Sequence, residues 1–167
     1  MPSGKNHKSG AKRIAVCGML VAAAIVLGLV EKLIPIDTLF YGFKLGLANI
    51  VVIFSLYKLK LSDAFIICAL KIIVCGFSFG GPVYLMYSLS GGILSFIIML
   101  LAKKKLKVIT VSVLGSVFFN IGQVICACFL LSTYAIFYYL PYLMLAGVMT
   151  GAVVGIVADV AIKRIKI

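Results

Sequence analysis

Lys71 is the residue of this sequence with the clearest chemical potential, because it interrupts the apolar run from 61 to 79. An ammonium group in such a run either extends to the polar boundary of a membrane or meets an anionic partner in a polar cavity. Asn49, Asn120 and Gln123 lie in other apolar runs. Inside lipid their amides need hydrogen-bond partners, so they are expected to orient a ligand or, alternatively, to join helices.

Two further charged residues flank the connection between the first and second apolar runs. Glu31 lies at the end of the first run, and Lys44 lies at the start of the second. They predict either an ion pair at the outer rim, in which Lys44 pairs with Asp37 or Glu31, or the mouth of a site that opens to the outside. The expected substrate-binding residues are therefore Glu31, Lys44, Asn49, Lys71, Asn120 and Gln123.

Residue types that enzymatic chemistry requires are scarce in this chain. It has four acidic residues and one histidine, His7, which precedes the first apolar run. The sequence contains no phosphate-binding glycine loop, no aspartate-rich metal motif and no pair of carboxylates within an apolar run. We therefore expect no enzymatic activity, no metal and no cofactor, and any ATP hydrolysis must come from other subunits.

The composition indicates the environment in which these residues operate. Hydrophobic residues make up 64% and charged residues 12% of the 167 residues, whereas soluble domains have roughly 45–50% and about 25%. Both deviations exclude an ordinary soluble fold, and the apolar content excludes a disordered chain. The sequence predicts an all-α integral membrane protein, with a mobile tail over residues 1–10 and one domain over residues 11–167.

Apolar runs that end at charge clusters or at glycine and proline predict six membrane-crossing helices. Each run has about the length that a ~30 Å hydrocarbon core requires, and none shows the alternation of a strand. The predicted helices are Ile14–Leu33, Phe40–Tyr57, Leu61–Phe79, Val83–Ala102, Val108–Leu131 and Leu140–Ile162.

The basic residues predict the orientation of this bundle. The net charge is +12, and 13 of the 16 lysines and arginines form clusters at 5–13, 58–60, 103–107 and 163–166. Six crossings place all four clusters on one side, which the positive-inside rule makes cytoplasmic together with both termini. Because the clusters alternate with apolar runs, we expect anionic lipid headgroups as their partner and not nucleic acid.

Small residues predict places where the backbone approaches a neighbour or changes direction. Gly147, Gly151 and Gly155 repeat at four-residue spacing, which permits close packing within the chain or against another subunit. The segment from Gly76 to Pro82 predicts a broken helix end with a flexible turn, as in a gate over a binding site or an ordinary hairpin. The gate residues would be Phe79, Gly80, Gly81 and Pro82.

Several segments resemble a known family. They are Glu31 and Pro35, then Gly42-Phe-Lys-Leu-Gly-Leu-Ala-Asn49, Lys71, Phe79-Gly-Gly-Pro82, Tyr87-Ser-Leu-Ser-Gly-Gly92 and Asn120-Ile-Gly-Gln123. From Ala11 onward the chain resembles the Gx transporter family, also labelled heptaprenyl diphosphate synthase component I. That family is similar to the S components of energy-coupling-factor transporters. The chain departs from the family pattern at Phe119, where many relatives have histidine, and at Lys71, where arginine is commoner.

The resemblance implies a six-helix bundle of the S-component type in the plasma membrane of a bacterium. Such a subunit captures a small molecule from outside, and partner ATPase subunits power its release. A transmembrane coupling subunit would contact the small residues of the first helix, Ala15, Gly18 and Ala22. Prenyl chain elongation needs magnesium held by aspartates, which four scattered acids do not supply. The alternative is a non-transporting module that supports isoprenoid or quinone synthesis, or flavin- or quinone-linked electron transfer to the cell exterior.

Overall fold

The structure, a computed structural model, describes residues 4–33, 46–79, 81–132 and 135–165. Helix accounts for 91% of the structure and no strand occurs in the described ranges, so the predicted all-helical class is confirmed there. Their α-helices are α1 (Gly4–Leu33), α2 (Asn49–Lys58), α3 (Leu61–Phe79), α4 (Gly81–Ala102), α5 (Val108–Leu131) and α6 (Leu140–Arg164), with a 3-10 helix at Ala135–Tyr139 before α6.

Four of the six helices follow the predicted bounds closely. α3 and α5 begin and end at the predicted residues, α4 begins two residues early, and α6 extends two residues further. α1 instead begins at Gly4 and not at Ile14, so part of the expected tail is helical. Lys12 and Arg13 have high helix propensity, which accounts for the first turn beyond the apolar run, and no proline lies between Gly4 and Ile14. An apolar run indicates which residues suit a lipid environment, but it does not define where the backbone hydrogen bonds of the helix end.

α2 is much shorter than predicted, because the described residues that precede it, 46–48, form a turn. Residues 46–48 are not helical, and Asn49 is the first residue of α2. Gly46 has a φ of 71°, which a right-handed helix cannot accommodate and which glycine adopts without steric cost. The predicted helix over 46–48 is therefore wrong. The remainder of that prediction, 40–45, lies outside the described residues.

α2 occupies the centre of the bundle although it is short. All residues from Val51 to Leu56 are buried. Val52, Ile53 and Leu56 belong to one apolar cluster with residues of α3, α4, α5 and α6. Because α2 is enclosed on its sides, its first residue lies inside the bundle and can take part in an interior site.

Glycines allow α4, α5 and α6 to pack with their backbones in close approach. A Cβ atom on Gly151 would lie 2.7 Å from Cα of Val113 in α5, and one on Gly122 would lie 2.8 Å from Cα of Gly91 in α4. Real Cβ atoms do not approach backbone atoms so closely. The glycine stripe of α6 therefore packs against α5 of the same chain, which decides between the two partners that the sequence left open.

Long-range contacts gather the basic clusters at one end of the bundle. Arg13 of α1 pairs with Asp63 of α3, its Nε lying 2.9 and 2.8 Å from the two carboxylate oxygens. Lys103, just after α4, donates from Nζ to the carbonyl oxygen of Leu56 at 3.2 Å. Ile162, which precedes the basic cluster at 163–166, packs on the apolar cluster that contains Leu56. This basic end comprises Lys58, Lys60, Lys103, Lys104, Lys105, Lys107, Lys163 and Arg164.

Neutralising the buried carboxylate of this contact should loosen α1. Asp63 is only 5% exposed, so Asp63→Asn removes the charge that holds Arg13 in a two-pronged contact. We expect the midpoint of thermal unfolding to fall by several degrees. The matched control is Asp159→Asn, whose exposed pair with Lys163 should contribute little. Equal shifts in the two variants would contradict the assigned role of Asp63.

The outer surface of the bundle is strongly apolar. α4 and α5, the stretch 11–31 of α1 and the stretch 135–164 that contains α6 are each long and apolar enough to cross a membrane. Many of their large apolar side chains are exposed, among them Met19, Phe129 and Leu145. Tyr138 and Tyr139, at the end opposite the basic end, are exposed too. These features are compatible with a multi-pass membrane protein.

Candidate functional site

Lys71 of α3 points into the bundle, towards α2 and α5. Its Nζ donates a hydrogen bond of 2.5 Å to Oδ1 of Asn49, the first residue of α2. The same Nζ lies 6.0 Å from the centre of the Phe119 ring of α5, at the outer limit of a cation–π contact. The ammonium group is therefore directed towards two neighbouring helices, and its partners there are neutral, whereas the interior alternative predicted an anionic partner in a polar cavity.

The three side chains lie at a common depth in the bundle. Lys71 is ten residues beyond the start of α3, and Asn49 is nine residues before the end of α2. At 1.5 Å per residue these positions are about 15 and 14 Å from the basic end. Phe119 is eleven residues into α5, at about 16 Å. Half of a ~30 Å hydrocarbon core is the same distance, so the site lies near the middle of the bundle.

Within the described residues, no carboxylate lies within ion-pair distance of Lys71. Asp63 pairs with Arg13, and Asp159 pairs with Lys163. The partners of the ammonium group are thus a neutral amide oxygen and an aromatic ring. A partly buried cation without a counter-charge is unfavourable, and an anion placed beside it would be stabilised.

Glu31 organises the backbone that leads into α2. One carboxylate oxygen accepts a hydrogen bond of 2.8 Å from the N–H of Gly46, and the other accepts one of 3.0 Å from Leu47. These N–H groups come just before the helix, where no intrahelical acceptor exists for them. Of the alternatives for Glu31, the contacts in the described residues favour a structural one, with the backbone of Gly46 and Leu47 as its partner. Lys44 and Asp37 lie outside the described residues.

Asn120 and Gln123 lie three residues apart in α5, but their side chains contact different helices. Asn120 is 8% exposed and donates from Nδ2 to the carbonyl oxygen of Leu143 in α6, at 2.7 Å. This contact favours the helix-joining alternative for Asn120. Gln123 instead packs over Gly91 of α4, on the same face of α5 as Phe119. Gln123 thus lies one turn beyond the ring that contacts Lys71.

Phe119 joins the candidate site although its residue type does not mark it as a site residue in the sequence. It attracted attention only as a departure from the family pattern, and the structure brings it against Lys71, the other departure. Its spacing of four residues from Gln123 was the available signal, because residues four apart share a helix face. An apolar side chain carries no chemistry that would have distinguished it from the core.

The helix break predicted between Gly76 and Pro82 does not occur at Gly76. Gly76 is buried within a continuous helix that ends at Phe79. A Cβ atom on Gly76 would lie 2.4 Å from Cδ1 of Leu85, so this glycine serves the packing of α3 on α4. Gly81, which has a φ of 72°, and Pro82 open α4. Gly80 and the side chain of Phe79 lie outside the described residues, and the gate remains a prediction.

The small residues of α1 form a face that is open to the outside of the bundle. Ala15, Gly18 and Ala22 are all exposed. A Cβ atom on Gly18 would meet nothing within 4 Å. Another helix could approach this face closely, and its contact with a partner subunit remains a prediction.

One comparison with known proteins matches the heptaprenyl diphosphate synthase component I label found in the sequence. A family model described as heptaprenyl diphosphate synthase component I matches residues 20–161. This range contains Glu31, Asn49, Lys71, Phe119 and Gln123 and spans most of the chain. Comparison with curated proteins and with solved structures finds no match. The chain belongs to the heptaprenyl diphosphate synthase component I family.

Proposed function

We propose that this protein is a membrane-embedded binding subunit that takes up a small anionic or amphipathic metabolite, such as a vitamin or a precursor of an isoprenoid, quinone or flavin. The observation that carries this proposal is the partly buried ammonium of Lys71, which has no carboxylate partner among the described residues. An anionic ligand would supply the missing charge. Asn49 and Gln123 would orient it, and Phe119 would contact its apolar part.

Six crossings with cytoplasmic termini fit this role. The charge distribution supports the orientation, because the long-range contacts gather the basic residues at one end and positive loops face the cytoplasm. The exposed apolar surface supports lipid as the surrounding medium. In this orientation the ligand would enter from the extracytoplasmic end, through the region that contains Lys44 and the gate residues.

Uptake by such a subunit would depend on partners. The chain carries no nucleotide-binding motif, so ATPase subunits and a transmembrane coupling subunit would supply the energy. The exposed face of Ala15, Gly18 and Ala22 supports the coupling contact, since small residues let two helices approach closely. We propose no enzymatic activity for the chain, and within the described residues no cluster of metal-ligating side chains occurs.

A second candidate function follows from the description of the family. The words "component I" indicate one part of a multi-subunit synthase. On that basis the chain would be a non-transporting membrane module that assembles a prenyl or quinone enzyme, or supports electron transfer to the cell exterior. In that case the partner would be an enzyme and not an ATPase.

Mass spectrometry of the purified full chain tests the first proposal. We expect a small anionic molecule to be retained through mild detergent extraction and released on denaturation, since its charge complements Lys71. Copurified proteins give the second readout, namely ATPase and coupling subunits for transport, or a prenyl or quinone enzyme alone for the module. A preparation that retains no small molecule and copurifies only with such an enzyme would contradict the transport proposal.

A further inference from the structure

Among the long apolar helices, α1 is the least enclosed by the rest of the bundle. Only 6% of its most apolar stretch is buried, compared with 28–33% in the other three. Ala24 is its one fully buried residue in the apolar cluster with Val51 of α2 and Ile67 of α3, and its other members of that cluster are only partly buried, namely Cys17, Leu20, Val21 and Leu27. A helix that buries so little surface gains little stabilisation from packing. Its polar contacts therefore have a large share in holding it in place.

In the described part of the chain, polar contacts hold α1 at both ends of its apolar stretch, 11–31. Arg13 pairs with Asp63 at the basic end, and Glu31 accepts hydrogen bonds from Gly46 and Leu47 at the other. Eighteen residues separate Arg13 from Glu31, which corresponds to about 27 Å of helix. The first contact joins two helices, α1 and α3. The second joins α1 to a turn, which can shift more readily than a helix can.

The turn bound by Glu31 ends at the residue that contacts Lys71. The N–H of Asn49 donates to the carbonyl oxygen of Gly46 at 2.8 Å, and the Asn49 side chain accepts from Lys71. A continuous series of polar contacts thus runs from Lys71 through Asn49 and the 46–48 turn to Glu31. It connects the candidate site with the helix that is least fixed by packing.

We infer that Glu31 is a positioning residue that couples the Lys71–Asn49 pair to α1. The inference rests on the proposed function, because a ligand is what would alter the pair. An anion that draws the ammonium away from Asn49 removes the side-chain contact that holds the first residue of α2. The 46–48 turn then shifts, the hydrogen bonds to Glu31 weaken, and α1 opens at that end while Arg13 keeps the other fixed. Coupling of this kind is reciprocal, so movement of α1 changes the affinity for the ligand.

Hydrogen–deuterium exchange of the full chain in nanodiscs of phosphatidylethanolamine and phosphatidylglycerol tests this coupling without added ligand. Lys71→Met removes the contact with Asn49, and Glu31→Gln removes the carboxylate. Each should accelerate exchange about tenfold in residues 24–33 and at the N–H groups of Gly46 and Leu47. The double variant should exchange no faster than the faster single variant, because both substitutions break one series of contacts. The matched control is Lys163→Met, which removes one exposed charge at the basic end and should change nothing near Glu31.

Two results would overturn the coupling. One is unchanged exchange of residues 24–33 in Lys71→Met, and the other is multiplication of the two single effects in the double variant. Should Glu31→Gln fail to fold, Asn49→Ala replaces it in the comparison of single and double variants, because Asn49→Ala breaks the same series of contacts at its middle. Ligand retention is measured on the same preparations. If Lys71→Met loses the retained molecule while the exchange of residues 24–33 is unchanged, the coupling fails and the proposed function stands. If Lys71→Met keeps the retained molecule while the exchange of residues 24–33 is accelerated, the ligand site is refuted and the coupling stands.

Discussion

Replacing Lys71 by methionine is expected to lower retention of the copurifying anion strongly while the fold persists. The substitution removes the ammonium beside Asn49 and Phe119. Methionine has a similar length and an apolar side chain, so it places no uncompensated charge in the bundle. A hydrogen bond to a charged group contributes about 1.5–3 kcal/mol, which corresponds to a loss of affinity of about tenfold to more than a hundredfold. The measurement is the amount of small molecule released per protein on denaturation.

Two control variants make this result specific. Lys163→Met lowers the net charge by the same amount at the exposed basic end and should retain the wild-type amount. Lys71→Arg keeps the positive charge with a different donor geometry and should retain more of the molecule than Lys71→Met does. Wild-type retention in Lys71→Met, at equal protein recovery, would remove Lys71 from the site.

Adding one methyl group at Gly122 is expected to lower the stability of the bundle strongly. The Cβ atom of Gly122→Ala would lie 2.8 Å from Cα of Gly91 and 2.9 Å from the carbonyl oxygen of Ser90. These are backbone atoms, which cannot rotate away, so α4 and α5 must separate. Overpacking of this kind costs about 1–3 kcal/mol of the free energy of unfolding. The separation would also stretch the 3.1 Å hydrogen bond from Ser90 Oγ to the Gly122 carbonyl oxygen.

Gly18→Ala is the matched control for this prediction. It makes the same chemical change in α1, where a Cβ atom meets nothing within 4 Å. Alanine has the higher helix propensity, so the variant should be as stable as the wild type or slightly more stable. Thermal unfolding of the detergent-purified chains measures both. If the two variants have the same midpoint, the close approach of α4 and α5 at Gly122 is not a determinant of stability.

Local features of the sequence were sufficient for the class of the fold and for most helix bounds. The apolar runs around Lys71 and Asn120 have the length of a bilayer-crossing helix, and α3 and α5 begin and end where those runs do. Run length depends only on neighbouring residues, which makes it legible from the sequence. Lys71 stood out for the same reason, since a charge within an apolar run is conspicuous without any knowledge of its neighbours in space.

The partners of those residues depend on how the helices are rotated and arranged around one another. Asn49 is 22 residues from Lys71, Phe119 is 48 residues away, and Arg13 is 50 residues from Asp63. Apolar periodicity is weak where nearly every side of a helix is apolar, so the sequence carries little information on which face meets which neighbour. The start of α2 depends on the backbone conformation of Gly46, which the surrounding contacts select. Side-chain chemistry and helix length were thus readable along the chain, whereas the pairing of distant groups, Glu31 with the turn above all, emerged from the packing of the folded bundle.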